Sequence, residues 1–251
     1  MLSKNKIKLI NSLLHGKFRK EEGLYIAEGT KLIETLLDAN KPMATIFATE
    51  SWLASHVLPS STETVMIDDA EMKKISQLTT PTSVLGLVHL PEQTIPTLTH
   101  AQLMLGLDNV RDPGNMGTII RLAQWFGIDT IVCNHGTVDC YNPKVVQATM
   151  GAIAHVNIVY TDLGAFIDQH QSETWPVYGT FLEGNNIFTE PLSASGLIVL
   201  GNEGNGISES IAQKITKKIL IPDFAQSGFK PESLNVSVAA AIVCAEFRRR
   251  K

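Results

Sequence analysis

The sequence of 251 residues is poor in cysteine, and this limits the kinds of site that it can build. Its three cysteines, Cys133, Cys140 and Cys244, lie far apart or within apolar runs. No Cys-x-x-Cys pair is present, which argues against a zinc site and against a disulfide framework. A chain of this kind suits a reducing compartment, so we expect a cytoplasmic protein that holds no metal.

Long apolar runs are also missing. The N-terminus has no apolar signal core, and no run is long enough to span a bilayer. We therefore expect a soluble intracellular protein with no membrane partner. The net charge is −4, from 21 Lys and Arg against 25 Asp and Glu, so the overall charge does not demand a nucleic acid. The sequence has no internal repeat and no low-complexity segment.

Positive charge is nevertheless concentrated near the N-terminus. Only Glu21, Glu22 and Glu28 oppose a basic group made of Lys4, Lys6, Lys8, Lys17, Arg19, Lys20 and Lys31. Because a local basic patch can bind RNA whatever the total charge, Lys17, Arg19 and Lys20 are candidate RNA contacts. A solvated helix face explains the same pattern, and both interpretations stay open.

The apolar pattern predicts two domains. In the first, an amphipathic helix is predicted over residues 3–15, and further helices over 30–39 and 68–78. Strands are predicted at 24–27, 46–49, 64–67 and 83–90. Two prolines, Pro91 and Pro96, then interrupt the pattern as in a linker. We expect a small α/β domain over residues 1–92 and a larger domain over residues 97–251.

The second domain alternates strands and helices. Apolar strands are predicted at 103–107, 130–133, 156–159, 177–181, 197–200 and 218–221. Helices are predicted between them, among others at 115–126 and 143–153. This alternation is typical of an α/β fold whose mostly parallel sheet is covered on both faces.

A first polar motif follows the first strand of this domain and runs from Asn109 to Arg121. Ligands bind at this edge of open α/β sheets. Asp112 and Pro113 make a sound helix start, which accounts for much of the motif without any function. Arg121, between Ile120 and Leu122, is expected to be buried and would then need an anionic partner such as a phosphate. Asn115 and Arg121 are therefore candidate functional residues, and Arg111 is a candidate RNA contact.

A second motif, Gly201-Asn202-Glu203-Gly204-Asn205-Gly206, follows the strand at 197–200. Its glycine spacing is wrong for the dinucleotide fingerprint, and no Lys-Ser/Thr follows as in a P-loop. Since Glu203 would repel phosphate, the loop suits a neutral or cationic ligand. An ordinary strand–turn–helix connection also accounts for it.

A third motif begins at Ile221-Pro222 and resumes at Ser233-Leu234-Asn235 before a small-residue run that continues through Ala239. Ser233 is a good helix N-cap. Asn235, at the mouth of a helix that is otherwise apolar, needs a hydrogen-bond partner in protein or ligand. Three polar loops at one sheet edge can converge on one site.

Together the three motifs resemble those of the SpoU/TrmH family of RNA ribose 2′-O-methyltransferases, within the SPOUT superfamily. The matching residues are Asn115-x-Gly117-x-x-x-Arg121, Gly201-x-Glu203-x-x-Gly206, Ile221-Pro222 and Ser233 to Ala239. They cover the whole second domain. The first domain, with Arg19, Glu28-Gly29 and Lys31-Leu32-Ile33, is similar to the small substrate-binding domain often fused ahead of the catalytic one.

The resemblance implies a deep trefoil knot that binds S-adenosylmethionine and a homodimer in which Arg121 acts near the partner's cofactor. The implied catalytic set is Asn115, Arg121, Glu203, Ser233 and Asn235. The implied cofactor contacts are Thr180, Leu200, Gly201, Ile221 and Leu234. Residues 223–232 form a longer link than in most relatives, which puts the cofactor contacts of that loop in question.

The expected activity is methylation of a ribose 2′-hydroxyl, with ribosomal RNA favoured over transfer RNA by the extra N-terminal domain. Transfer-RNA methylation and self-protection against a ribosome-targeting antibiotic stay open as alternatives. A non-catalytic RNA-binding assembly factor is disfavoured because all five polar motif residues are present. The sequence does not identify the RNA, the nucleotide or the proton acceptor.

Overall fold

We describe the protein from a computed structural model, which covers residues 2–92, 102–225 and 232–249. Ten helices occur in these ranges: α1 (Lys4–Ser12), α2 (Gly16–Glu22), α3 (Thr30–Asp38), α4 (Glu50–Ala54), α5 (Asp69–Met72), α6 (Pro113–Trp125), α7 (Pro143–Thr149), α8 (Leu163–His170), α9 (Glu209–Ala212) and α10 (Val236–Arg249). A short 3₁₀ helix spans Ala152–Ala154. Ten strands occur as well: β1 (Leu24–Glu28), β2 (Met43–Ala48), β3 (Glu63–Met66), β4 (Val84–His89), β5 (Leu103–Leu107), β6 (Thr130–Cys133), β7 (Asn157–Tyr160), β8 (Val177–Asn186), β9 (Gly196–Leu200) and β10 (Lys217–Leu220).

The chain divides into two compact units. The first comprises Met1–Glu92 and Asp139–His155, and the second Gln93–Val138 and Val156–Lys251. The longer segment of the first unit ends at Glu92, the residue at which the sequence places the end of the first domain. It also takes in the segment 139–155, which the sequence places in the second domain. The reason is packing, since α7 lies against β1.

The first unit contains a four-stranded mixed sheet in the order β1-β4-β2-β3. β4 runs antiparallel to both of its neighbours, and β2 and β3 are parallel. A core that includes Ile10, Leu13 and Phe47, each 0% exposed, packs on this sheet. The small α/β domain that the sequence predicts is confirmed.

The second unit contains a six-stranded sheet, parallel throughout, in the order β10-β8-β9-β5-β6-β7. Every residue of β5 and β9 is buried, because these central strands are covered on both faces. The predicted α/β class and parallel sheet are confirmed. The strands predicted at 103–107 and 130–133 have the predicted bounds. The trefoil knot stays a prediction, since strand order does not define how the chain is threaded.

Several predicted elements are wrong in length. The N-terminal helix stops at Ser12, and a separate helix, α2, follows it. The helix predicted over residues 68–78 has only four residues in α5. α7 stops at Thr149 because Met150 and Gly151 adopt positive φ angles of 52° and 96°, which an α-helix does not allow. β8 continues to Asn186, five residues beyond its predicted end.

Candidate active site

Three polar side chains from distant parts of the second unit meet beyond the carboxyl edge of its sheet. The Asn115 side-chain amide donates a hydrogen bond to Oε1 of Glu203 at 2.6 Å. The Oδ1 atom of Asn115 accepts one from the Asn235 amide at 3.0 Å. The three predicted motifs therefore converge, and Asn115 joins the other two.

The sequence explains why Asn115 lies at this point. Asp112 is the N-cap of α6, and its carboxylate accepts a hydrogen bond from the Asn115 backbone N–H at 2.8 Å. Pro113 occupies the first helical position, where its missing N–H costs nothing. This well-defined helix start places the Asn115 side chain at the end of the helix that faces the sheet edge.

Asn235 begins α10 and also turns its side chain to the site. Its Oδ1 atom accepts hydrogen bonds from the Ser237 hydroxyl at 2.6 Å and from the Ser237 backbone N–H at 3.0 Å. Asn235 is therefore the cap of this helix, and the prediction that Ser233 caps it is wrong. Ser233 is exposed in the segment just before the helix, so it is near Asn235 in sequence but stays outside this hydrogen-bonded group.

The glycine-rich loop that carries Glu203 is folded tightly onto itself. Backbone hydrogen bonds of 2.9 Å link Asn202 and Gly206 in both directions. The Asn202 side chain accepts the backbone N–H groups of Gly204 and Asn205. A Cβ atom at Gly201 would overlap the backbone of Gly206. The loop therefore requires glycine at position 201, and it presents the Glu203 carboxylate to solvent.

Arg121 is exposed on α6, and the prediction that it is buried is wrong. Its neighbours Ile120 and Leu122 point elsewhere, because successive helical residues are about 100° apart around the axis. Among the residues that the structure describes, Arg121 makes no hydrogen bond and no ion pair. It is thus free to contact a molecule outside this chain.

The predicted cofactor contacts lie at or near strand ends at this same edge. Leu200 and Gly201 are buried at the end of β9, and Ile221 is half-buried after β10. The Thr180 hydroxyl donates to the Val199 carbonyl at 3.4 Å. Leu234 is 49% exposed next to Asn235. The structure thus arranges these residues around the loop ends, while their role as cofactor contacts stays a prediction.

The predicted RNA contacts divide into exposed and buried side chains. Lys17, Lys20 and Arg111 are exposed. Arg19 is only 3% exposed, and its guanidinium donates to the Asp139 carboxylate at 2.5 and 3.0 Å and to the Leu13 carbonyl at 2.8 Å. Arg19 as an RNA contact is therefore a wrong prediction, since its donors are already used inside the first unit.

One residue that the sequence analysis missed lies beneath this edge. Asp108, directly after β5, is 0% exposed and accepts three hydrogen bonds from the loops around the site. The available signal was the position of Asp108, directly after a fully apolar strand and directly before Asn109, where the first polar motif begins.

Two further findings concern the described part of the chain. None of its helices combines the length and the apolar character that a bilayer crossing requires. No group of three or more His, Cys, Asp or Glu side chains within residues 2–92, 102–225 and 232–249 is arranged to hold a metal ion. Most of the longer link predicted at 223–232 lies outside the described residues.

These features define a class of protein: an α/β ligand-binding domain with its site at the carboxyl edge of a parallel sheet, preceded by a small accessory unit. The model of the SpoU rRNA Methylase family matches residues 102–245, and that of the MRM3-like substrate binding domain matches residues 4–86. The chain belongs to the SpoU rRNA methylase family.

Known proteins resemble the chain over its full length. The 23S rRNA (guanosine(2553)-2′-O)-methyltransferase RlmP of Bacillus subtilis is 30% identical over 97% of this chain and 96% of its own. A structure from Porphyromonas gingivalis, assigned to the TrmH family of RNA methyltransferases, is 38% identical, with a TM-score of 0.91 and all of both chains covered. An AdoMet-bound rRNA methyltransferase from Sinorhizobium meliloti has 26% identity, a TM-score of 0.87, and coverage of 100% of this chain and 96% of its own.

Proposed function

We propose that the protein is an S-adenosylmethionine-dependent methyltransferase that methylates a ribose 2′-hydroxyl in ribosomal RNA. The observation that carries the proposal is the linked group Glu203, Asn115 and Asn235 at the sheet edge. Its full-length relative from B. subtilis carries the name of a 23S rRNA 2′-O-methyltransferase. We place the reaction in the cytoplasm.

The residues at this edge fit the cofactor in their chemistry. Glu203 is the charged side chain of its loop. Its carboxylate attracts a cationic ligand and repels a phosphate. Leu200, Gly201, Ile221 and Leu234 would hold the cofactor through backbone groups, with Thr180 beside them. When bound, S-adenosylmethionine supplies a methyl group on a sulfonium, which is already a good leaving group.

The task of the protein's own residues is to position the ribose and to manage the proton of its 2′-hydroxyl. Asn115, with an amide donor and a carbonyl acceptor, and Asn235 can orient polar groups of the substrate, and Ser233 lies close by in the chain. Arg121 grips the phosphate next to the target ribose and stabilises the negative charge that develops on the 2′-oxygen. Its guanidinium stays protonated, so the proton leaves through phosphate or water.

The exposure of Arg121 supports action on the site of a second copy. α6 and α10 lie side by side and parallel, since their first turns meet at Asn115 and Asn235 and Arg248 binds the Phe126 and Gly127 carbonyls at the other end, each at 2.6 Å. Trp125, one turn beyond Arg121, is 84% exposed. A large exposed aromatic side chain is typical of an interface, and we propose that this face forms the homodimer.

Sedimentation equilibrium tests the dimer. Trp125→Glu is expected to weaken self-association at least tenfold, because it puts a charge into the contact. Val57→Glu, at a 100% exposed position in the first unit, is the matched control and should leave association unchanged. A monomeric wild-type protein contradicts the proposal.

Ribose-methylation mapping of total RNA tests the activity. We expect one ribosomal position to lose its methyl group in cells without the gene and to regain it with purified protein and S-adenosylmethionine. A lost position in transfer RNA instead would contradict the ribosomal target. No changed position, together with no S-adenosylmethionine binding by calorimetry, would contradict the enzyme itself.

A further inference from the structure

A carboxylate without a basic partner is buried beneath the candidate site. Asp108 follows β5, and it is 0% exposed. No ion pair within the described residues includes it. A buried charge is costly unless hydrogen bonds satisfy it, so the hydrogen bonds of Asp108 must compensate for the loss of hydration.

Three donors from three loops satisfy Asp108. Its Oδ1 atom accepts the side-chain amide of Asn109 at 2.8 Å and that of Asn134, just after β6, at 2.9 Å. Its Oδ2 atom accepts the backbone N–H of Ser208 at 2.7 Å. One side chain thus ties together the loops that follow β5, β6 and β9.

Two of these loops carry the candidate catalytic residues. Ser208 closes the loop that holds Glu203. The same loop is also fixed at its start, where the Asn202 amide donates to the Asn109 carbonyl at 2.9 Å. The chain that leaves Asn109 leads directly to the start of α6 and to Asn115. Asp108 thus provides one of two links between the two backbones whose side chains meet in the Asn115–Glu203 hydrogen bond.

The hydrogen-bond pattern requires a carboxylate here, not merely a polar group. All three partners are donors, and the orientation of the Asn134 amide is fixed because its Oδ1 accepts the His135 N–H at 3.1 Å. An amide at position 108 would have one acceptor and would turn its own N–H groups toward at least one other donor. That would leave buried donors facing each other.

We propose that Asp108 is a positioning residue for methyl transfer, a buried anion that fixes the loops of Asn115 and Glu203 relative to each other. This inference rests on the proposed function. Its structural content, the fixed loop 201–208, can also be measured without any activity.

The first test is Asp108→Asn, with kinetics and hydrogen exchange on the same protein. We expect kcat to fall about tenfold or more, since one lost charged hydrogen bond is worth about a factor of ten. The KM for RNA should stay within about twofold. Exchange of the amides in residues 202–208, which include the N–H groups held by Asn202, should become about tenfold faster.

The second test is the reciprocal pair D108N/N134D. The amide at position 108 then donates to the new carboxylate and accepts from Ser208. Its second N–H can donate to the side-chain oxygen of Asn109 once the Asn109 amide has turned over. We expect kcat and loop exchange to return to within about threefold of wild type. Glu246→Gln is the control: it also neutralises a buried carboxylate of the second unit, 5% exposed and paired with Arg249 on α10, and it should leave loop exchange and kcat unchanged.

A folded D108N protein with wild-type kcat and wild-type loop exchange overturns the inference. So does a folded double variant that stays as impaired as D108N. If D108N does not fold, Asn134→Ala carries the test, with about a threefold rise in exchange expected and no change overturning the inference. If wild type transfers no methyl group, the proposed function fails, while the exchange comparison still decides the role of Asp108.

Discussion

Replacing Asn115 with Asp tests how the candidate catalytic group works. The new side chain has the same shape, and it can still accept the hydrogen bond from Asn235. It cannot donate to Glu203, whose Oε1 lies 2.6 Å from the present amide nitrogen. The change therefore removes one hydrogen bond and sets two carboxylates against each other.

The structure allows an estimate of the effect. A lost hydrogen bond to a charged group costs about 1.5–3 kcal/mol. Repulsion between two charges about 4 Å apart adds about 1 kcal/mol in a water-like surrounding, which is the appropriate limit because Glu203 is exposed. Taken together, the two contributions come to about 2.5–4 kcal/mol, which corresponds to a fall in kcat of about 70- to 900-fold.

The assay is transfer of a labelled methyl group from S-adenosylmethionine to ribosomal RNA at saturating concentrations of both. Asn115→Ala is the comparison without added charge: it removes the hydrogen bonds with Glu203 and with Asn235, and we expect it to lose at least about tenfold. A kcat for N115D within about threefold of wild type would show that the contact with Glu203 does not shape the site.

Three further predictions follow from the structure. Arg121→Lys should retain measurable methyl transfer if the guanidinium acts by its charge; complete loss with unchanged RNA affinity and intact folding counts against that role. Arg19→Met should lower the free energy of unfolding, measured in urea, by about 2 kcal/mol. Lys17→Met is the control, because Lys17 is 77% exposed and pairs with Glu21 at 3.7 Å; it should change the free energy of unfolding by less than about 0.5 kcal/mol. Equal shifts for the two variants would contradict the buried role of Arg19. Burial raises the pKa of the Cys244 thiol to about 12, so at pH 8, below that pKa, the reactive thiolate is scarce. A thiol reagent should therefore label Cys244 at least about 100-fold more slowly in native than in urea-unfolded protein, and rapid native labelling refutes this.

The parallel sheet was the most predictable part of the fold. β5 and β6 have their predicted bounds because their apolar residues lie between polar turns. A strand that is buried on both faces is a continuous apolar run, and such a run can be recognised in the sequence. β8 was predicted too short, since Leu182 to Asn185 are exposed and carry no apolar pattern. That part is a strand because Asn185 and Asn186 pair with Ile219 and Leu220 of β10, a contact that local sequence does not encode.

The sequence predicts which residues belong to the site better than it predicts how they are arranged. The motifs located Asn115, Glu203 and Asn235, but the order of their hydrogen bonds depends on where two loops and a helix end meet. Arg121 and Arg19 were assigned opposite exposures to those they have. For Arg19 the reason is Asp139, which lies 120 residues away in sequence and belongs to the same unit. Such distant partners cannot be inferred from local pattern.

The order of the site residues along the chain has a consequence for biosynthesis. Asn115 and Glu203 are made first, and Asn235, 120 residues after Asn115, is made later. Contacts over such long separations form late, because closing the intervening loop is entropically unfavourable. A nascent chain that has completed the central strands still lacks α10, which covers α6 and contributes the last of the three polar side chains. The group of Asn115, Glu203 and Asn235 therefore cannot be complete before the start of α10 has been synthesised.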